Sequence, residues 1–279
     1  MKSGFATLVG RPNVGKSTLL NAVLGYKVSI VSDKPQTTRN QIRGILDGPD
    51  AQVVFVDTPG IHKPKTAAGE RFNATARGAA EDVDVVLFVL DATQPLGRGD
   101  RFVADPLPRD RTLCVVNKVD VARPEQVLAQ LRAAGAFEFA EYFPVSARRK
   151  EGLAPLVGAI VARLPEGPRY YPEGMVTDVP DAFWVAELVR EQLLAVTREE
   201  LPHSIACRVT DWEWPRIRVE ILVERESQKG IVIGKGGCVL KQVGTAVREQ
   251  LDGGAYLELV VKVEPDWQRR PHALDRLGL

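Results

Sequence analysis

The sequence predicts an α/β domain on a mainly parallel sheet with helices on both faces, followed by a smaller α+β domain. Three observations carry that prediction. Short apolar strands alternate with helical patterns through the first half. A glycine-rich turn, Gly10-Arg11-Pro12-Asn13-Val14-Gly15-Lys16-Ser17, joins the first strand to the first helix. Past a proline- and glycine-rich stretch, the second half reads α-β-β-α-α-β. These boundaries give domains over 1–165 and 181–279, with a linker over 166–180.

Phe5 to Val9 is the first strand, and a helix from Ser17 to Leu24 stops at Gly25. The turn between them matches G-x-x-x-x-G-K-[ST], the phosphate-binding loop, in the strand-to-helix setting that makes the match credible. Its backbone N–H groups and the helix N-terminus favour a di- or triphosphate. Lys16 is expected on the β- and γ-phosphates, Ser17 on Mg²⁺, and Thr18 beside them. Tyr26 to Arg43 is polar, contains Pro35, and reads as a long functional loop.

Further strands are expected at Gln41–Leu46, Gln52–Val56, Val83–Leu90, Leu113–Val116 and Tyr142–Val145. Leu153, Leu156, Val157, Ile160, Val161 and Leu164 mark the buried face of a helix. Gly97–Arg111 should hold another, which Pro106 and Pro108 would end near Ala104. Ligands in such sheets bind beyond the carboxyl ends of the strands, where the polar motifs fall. Asp57-Thr58-Pro59-Gly60 follows the third strand. The Asp57 carboxylate can hold Mg²⁺ through water, and the Gly60 N–H can bond a γ-phosphate oxygen; Ile61 comes next. Asn117-Lys118-Val119-Asp120 follows the fifth strand. Asp120 can accept from guanine N1–H and its 2-amino group, which adenine lacks, for discrimination of roughly 10⁴-fold. Asn117 and Lys118 would brace the loop and flank the base. Ser146-Ala147 would close the pocket through a backbone N–H to the guanine oxygen.

Composition narrows the class. At 44% hydrophobic and 26% charged residues, the chain is an ordinary globular protein. Its longest apolar run, Val83–Leu90, contains Asp84 and is too short to span a bilayer. Met1 leads almost directly into a strand, leaving no room for a signal peptide. Three scattered cysteines and three isolated histidines suggest no disulfide framework or metal cluster and fit a reducing cytoplasm. Residues 175–279 carry 14 Lys and Arg against 17 Asp and Glu, so a nucleic-acid site there must be local.

In that half, Asp181 is expected to cap a helix running to about Glu200, with Trp184, Val185, Leu188, Val189 and Leu193 inward. Two alternating strands follow: Ile205, Cys207 and Val209, then Ile217, Val219, Ile221 and Val223. Ile233-Gly234-Lys235-Gly236-Gly237 then separates two helices, the second marked by Leu240, Val243, Val247 and Leu251, before a strand at Tyr256–Val263. Glycines there let a nucleic-acid backbone approach, with Lys229, Lys235 and Lys241 clustered around them. Trp212, Trp214 and Trp267 are read as packing residues, and Arg269-Arg270 as a solvated tail.

The four motifs of the first half, in this order and spacing, resemble the translation-factor-like branch of the Ras-type GTPases over residues 4–165. The resemblance implies hydrolysis of GTP to GDP, with Thr38 as the loop threonine that closes on Mg²⁺. It puts Lys16, Thr38, Gly60 and Asn13 in catalytic roles, and Ser17, Thr38 and Asp57 around the metal. Ras-type enzymes orient water with a glutamine where this chain has Ile61, so turnover should be slow. Asn13 matches the asparagine with which potassium-stimulated relatives hold K⁺. His62, a tempting general base, is read as solvent-facing or packing. The second half resembles a KH domain, with Lys229, Ile233, Gly234, Lys235, Gly236, Gly237 and Lys241 as its RNA contacts. The pair of domains resembles bacterial ribosome-assembly GTPases. That implies a cytoplasmic monomer binding 16S rRNA near its 3′ end during 30S maturation, with peripheral membrane contact for which the sequence shows no amphipathic or lipidation signal. The alternative is a GTPase regulating another RNA-processing event. No additional nucleophile or cofactor loop supports it.

Overall fold

The computed structural model describes every residue except 35–36, 62–66, 198–200, 252 and 278–279. His62 and Glu200 therefore lie outside the described residues. The chain divides into a larger unit, made from most of residues 1–178, and a smaller one made chiefly from 179–279.

The larger unit runs β1 (Lys2–Val9), α1 (Lys16–Leu24), β2 (Ile42–Asp47), β3 (Ala51–Asp57), α2 (Ala67–Glu81) and β4 (Val85–Asp91). It continues with α3 (Arg98–Ala104), β5 (Thr112–Asn117), α4 (Pro124–Gly135), β6 (Glu141–Pro144) and α5 (Leu153–Arg163). The sheet order is β2-β3-β1-β4-β5-β6. Only β2 is antiparallel to its neighbour. Val85 to Leu90 are all fully buried. Consecutive strand residues point to opposite faces, so both faces of the sheet are covered there. Phe88 packs against Phe137 and Phe139 on the side leading to α4. The α3 helix ends at Ala104, two residues before Pro106, as its missing N–H requires.

Residues 165–178 form a strap along this unit. The Ile45 N–H donates to the Val176 carbonyl, and Thr177 bridges Gly44. Tyr170 packs 4.9 Å from Phe5 between ring centroids. Buried Gln52 accepts from the Tyr170 and Tyr171 amides and donates to the Tyr171 carbonyl. Proline and glycine content reads this stretch as a linker; its main-chain hydrogen bonds attach it to the sheet.

The smaller unit contains α6 (Asp181–Val196), α7 (Leu201–Ser204), β7 (Ala206–Glu213), β8 (Arg216–Val223), α8 (Glu226–Ile233), α9 (Cys238–Arg248), β9 (Tyr256–Val263) and α10 (Pro271–Arg276). β7 and β8 are antiparallel, β8 and β9 parallel. Ile217, Val219, Ile221 and Val223 face one way from β8 and share a core with Val185, Leu188, Leu193, Val232, Val243 and Val247. Two expectations are corrected. Pro180, not Asp181, occupies the N-cap of α6, so Asp181 serves as an acidic first-turn residue. The helix ends at Val196, where the Thr197 hydroxyl donates back to the Leu193 carbonyl, and the separate α7 follows. Trp267 is buried and donates to the Ser204 carbonyl, whereas Trp212 and Trp214 stand 40% and 57% exposed. No helix among the described residues is long and apolar enough to cross a membrane.

Candidate functional site

Residues 10–15 form the turn between β1 and α1, with Lys16, Ser17 and Thr18 in the first helical turn. Asn13 sits at φ 64°, a left-handed conformation that asparagine tolerates better than most residues. Lys16 is buried and donates to the Gly10 and Arg11 carbonyls, 3.1 Å each. Burial pushes its ammonium down to about 8, partly offset by the charge of Asp57. Arg11 turns its half-exposed guanidinium toward Asp100, 3.4 Å away, and Asp100 also accepts from the Gly97 amide at the start of α3.

Asp57 ends β3 without solvent exposure. Its Oδ2 accepts from Ser17 at 2.8 Å, Ser29 at 2.9 Å and Thr38 at 3.4 Å, while the Ser17 and Thr38 hydroxyl oxygens lie 2.9 Å apart. Its Oδ1 is buried with no hydrogen-bond partner. Burial raises the carboxyl pKa, against the pull of Lys16 and the three hydroxyls. A buried anionic oxygen without a donor, beside two hydroxyls, suits a hard divalent cation with oxygen ligands. The donor set fits Mg²⁺. Next to it, Thr58 ties the turn to β1 through the Leu8 carbonyl, 2.7 Å away. Gly60 packs so closely on the phosphate loop that an added Cβ would lie 2.8 Å from Pro12 N. Ile61 is buried and joins the core instead of lining an aqueous site.

The motif after β5 is bound to the phosphate loop by side chains. Asn117 donates to the Val14 carbonyl at 3.0 Å and accepts from the Ala147 amide at 3.0 Å. Lys118 donates to the Asn13 carbonyl at 2.7 Å and to Asp91 at 2.6 Å. Burial opposes the Asp91 charge, but hydrogen bonds from Lys118 and Thr93 outweigh it and lower its pKa. The Val119 amide donates to the Val145 carbonyl. Ser146 donates to Asp120 at 2.7 Å, fixing the carboxylate expected on guanine. Of the backbone N–H groups of Ser146-Ala147, one of which is expected on the guanine oxygen, that of Ser146 donates to the Glu151 carbonyl and that of Ala147 to Asn117. The described sequence-predicted residues of this unit thus gather at the carboxyl ends of β1, β3, β5 and β6, with Thr38 joining from the loop before β2. Sequence reasoning missed Ser29, Asn21 and Asp91. Asp91 ends β4 as Asp57 ends β3, so strand-end position was a usable signal for it; Ser29 and Asn21 carried none.

In the smaller unit, Lys235–Gly237 forms a single turn between α8 and α9. Gly234 and Gly237 have φ of 74° and 79°. Lys235 and Lys241 are exposed, Lys229 is partly so, and none of the three forms an ion pair with a described residue. Ile233 packs partly into the core, while Ile231, not singled out by pattern, is 58% exposed beside the loop.

A phosphate loop wired to an Asn117-Lys118-Val119-Asp120 turn, followed by an α-β-β-α-α-β unit with an exposed glycine–lysine loop, defines a GTPase carrying a KH domain. The family model for 50S ribosome-binding GTPases matches residues 5–118, and that for KH domains matches 200–268. GTPase Era of Heliobacterium modesticaldum is 46% identical over all of this chain and 97% of its own length. The Staphylococcus epidermidis protein is 40% identical over 99% and 97%. Among solved structures, Era in complex with MgGDPNP and nucleotides 1506–1542 of 16S ribosomal RNA aligns with TM-score 0.95 at 40% identity, covering 100% of this chain and 99% of that one. An Aquifex aeolicus Era variant bound to GDP and AlF4⁻ gives 0.94 at 39%, with the same coverage. The chain belongs to the GTPase Era family.

Proposed function

We propose that the chain is a slow GTP-driven switch that holds 16S ribosomal RNA near its 3′ end through the KH loop and assists 30S maturation. The observation that carries this reading is the union of an Mg²⁺-ready phosphate site with an exposed glycine–lysine loop in a chain similar end to end to an RNA-bound Era. The family description for residues 5–118 names the 50S particle. The whole-chain similarity to a complex with 16S RNA weighs more, because it includes the KH domain.

The residues supply the chemistry as follows. Lys16 exchanges its two carbonyl partners for phosphate oxygens, and the phosphate-loop amides cradle the β-phosphate. Bound Mg²⁺ would neutralise β- and γ-phosphate charge, with Ser17 and Thr38 as direct ligands and Asp57 through water. The Gly60 N–H donates to the γ-phosphate while it is present and loses that partner on hydrolysis. Asp120 selects guanine. Ile61 cannot orient water, so intrinsic turnover is slow. A potassium ion against Asn13 would add the positive charge that an arginine finger brings elsewhere. The site of action is the cytoplasm. Membrane contact, if made, is peripheral and rests on family resemblance alone.

Crosslinking followed by sequencing of bound RNA, with a GTP analogue or GDP, tests the reading. Small-subunit 3′-end RNA is expected with the analogue, and its loss in Lys235→Asp with GTP binding retained. Recovery of no RNA in either state would overturn it. Equal turnover in sodium and potassium would remove the Asn13 role.

A further inference from the structure

Three hydroxyls hold Asp57, and only two belong to residues that the GTPase motifs account for. The third is Ser29, between α1 and β2. It has no exposed surface, and its neighbours Val28 and Ile30 are buried with it. Its main chain is clamped by one side chain of α1. Asn21 Nδ2 donates to the Ser29 carbonyl at 2.7 Å, and Asn21 Oδ1 accepts from the Val28 and Ser29 amides at 2.9 and 3.1 Å. One amide side chain thereby satisfies three backbone groups and fixes where the Ser29 hydroxyl sits.

From this geometry we infer that Ser29, set in place by Asn21, is a positioning residue for the metal-holding carboxylate. A carboxylate has about four acceptor sites on its two oxygens. Here all three donors crowd Oδ2 and leave Oδ1 with none. Ser17 and Thr38 must share their oxygens with the cation. Ser29 is the donor whose hydroxyl has the carboxylate as its partner throughout. It locks the rotation of the Asp57 carboxylate, so that Oδ1 stays turned to where a metal-bound water is needed. Donors of this kind orient a metal-holding group in advance, and their removal typically costs about 10- to 100-fold in metal affinity.

This inference rests on the Mg²⁺–GTP reading above. The test uses the full chain loaded with a fluorescent GDP analogue, its release followed against free Mg²⁺ concentration. In the wild-type chain Mg²⁺ slows release. Ser29→Ala is expected to raise the Mg²⁺ midpoint by about 10-fold or more, while release in excess chelator stays at the wild-type rate. Ser29→Cys, close in volume but a weaker donor, should give an intermediate midpoint, and it decides the matter if Ser29→Ala does not fold. A midpoint within about twofold of wild type in both variants, or equal acceleration in chelator, overturns the role of Ser29 while leaving the metal site intact. Absence of any Mg²⁺ effect in the wild-type chain overturns the metal reading itself, and this inference with it.

Discussion

Replacing Asn117 with alanine releases three loops at once. The side chain is 2% exposed and makes two 3.0 Å hydrogen bonds, one to the phosphate loop and one from the loop after β6. Removing it leaves the Val14 carbonyl and the Ala147 N–H without those partners, at about 1–3 kcal/mol each. The loops can shift to recover part of this, so the lower part of the combined range, about 2–4 kcal/mol, is the working value. The free protein can relax by letting the loops part, whereas the nucleotide needs them together. We therefore predict that the cost falls on binding: GDP affinity drops by about 30- to 700-fold, at 1.4 kcal/mol per tenfold. Asn117→Asp keeps the acceptor for Ala147 but turns an anionic oxygen toward the Val14 carbonyl, and should lose at least as much. Titration with fluorescent GDP, paired with thermal melting of the nucleotide-free chain, measures both parts. GDP affinity within about threefold of wild type in Asn117→Ala would refute the idea that these bonds pre-assemble the pocket.

Three other predictions concern the smaller unit and the thiols. Glu220 is buried on β8 and receives Arg208 at 2.7 Å as well as Lys262. Burial alone would raise its pKa, but these cations hold it below its ordinary 4.5. Its stabilisation is therefore complete above the unfolded-state value and disappears as pH falls through the lower folded value. Glu220→Gln should cost about 1–2 kcal/mol at pH 7, discounted for the partly exposed cations, with the difference shrinking toward pH 3 in urea titrations. Gly234 combines φ 74° with ψ 166°, and an added Cβ would lie 2.6 Å from Val239 Cγ2. Gly234→Ala should destabilise the unit by about 2 kcal/mol in thermal melts, while Gly236→Asn, at φ 60° in open space, should melt near wild type. Burial pushes the Cys114 thiol up to about 12, whereas Cys238 is exposed. A disulfide reagent at neutral pH should modify Cys238 in the native chain and Cys114 only after unfolding; equal rates would contradict the buried placement.

Much of the site was legible because the phosphate loop and the strand-end motifs are local. Each is a few consecutive residues whose spacing states its chemistry. Strand runs such as Val85–Leu90 were legible because burial on both faces leaves no polar alternation. What was hidden depended on partners distant in sequence. Asn21 sits inside α1 and reads as one polar residue on an amphipathic helix; its role exists only once Ser29 folds back beside it. Ser29 lies in a polar loop with no period to single it out. A backbone N–H of Ser146-Ala147 could be assigned to guanine from position, but the bond from the Ala147 amide to Asn117 needed coordinates. Asp181 carried a good capping signal, yet the helix starts one residue earlier, with Pro180 at the N-cap in extended geometry and no side-chain cap bond, and Asp181 in the first turn, where its charge still suits the helix N-terminus.

The strap over residues 165–178 bears on where this gene can be cut. β2 is one of the two outer strands of the sheet, and an uncovered outer strand is a template for pairing with another chain. A nucleotide-binding fragment ended after α5, at residue 165, would strip Val176 from Ile45 and uncover Phe5. It would also leave Gln52 with one of its four hydrogen bonds, the one to Asp47. Carried to Asp178, the same fragment keeps its edge closed and that buried amide satisfied. Soluble expression of an isolated GTPase domain therefore turns on these thirteen residues beyond the last helix-flanking proline, Pro165.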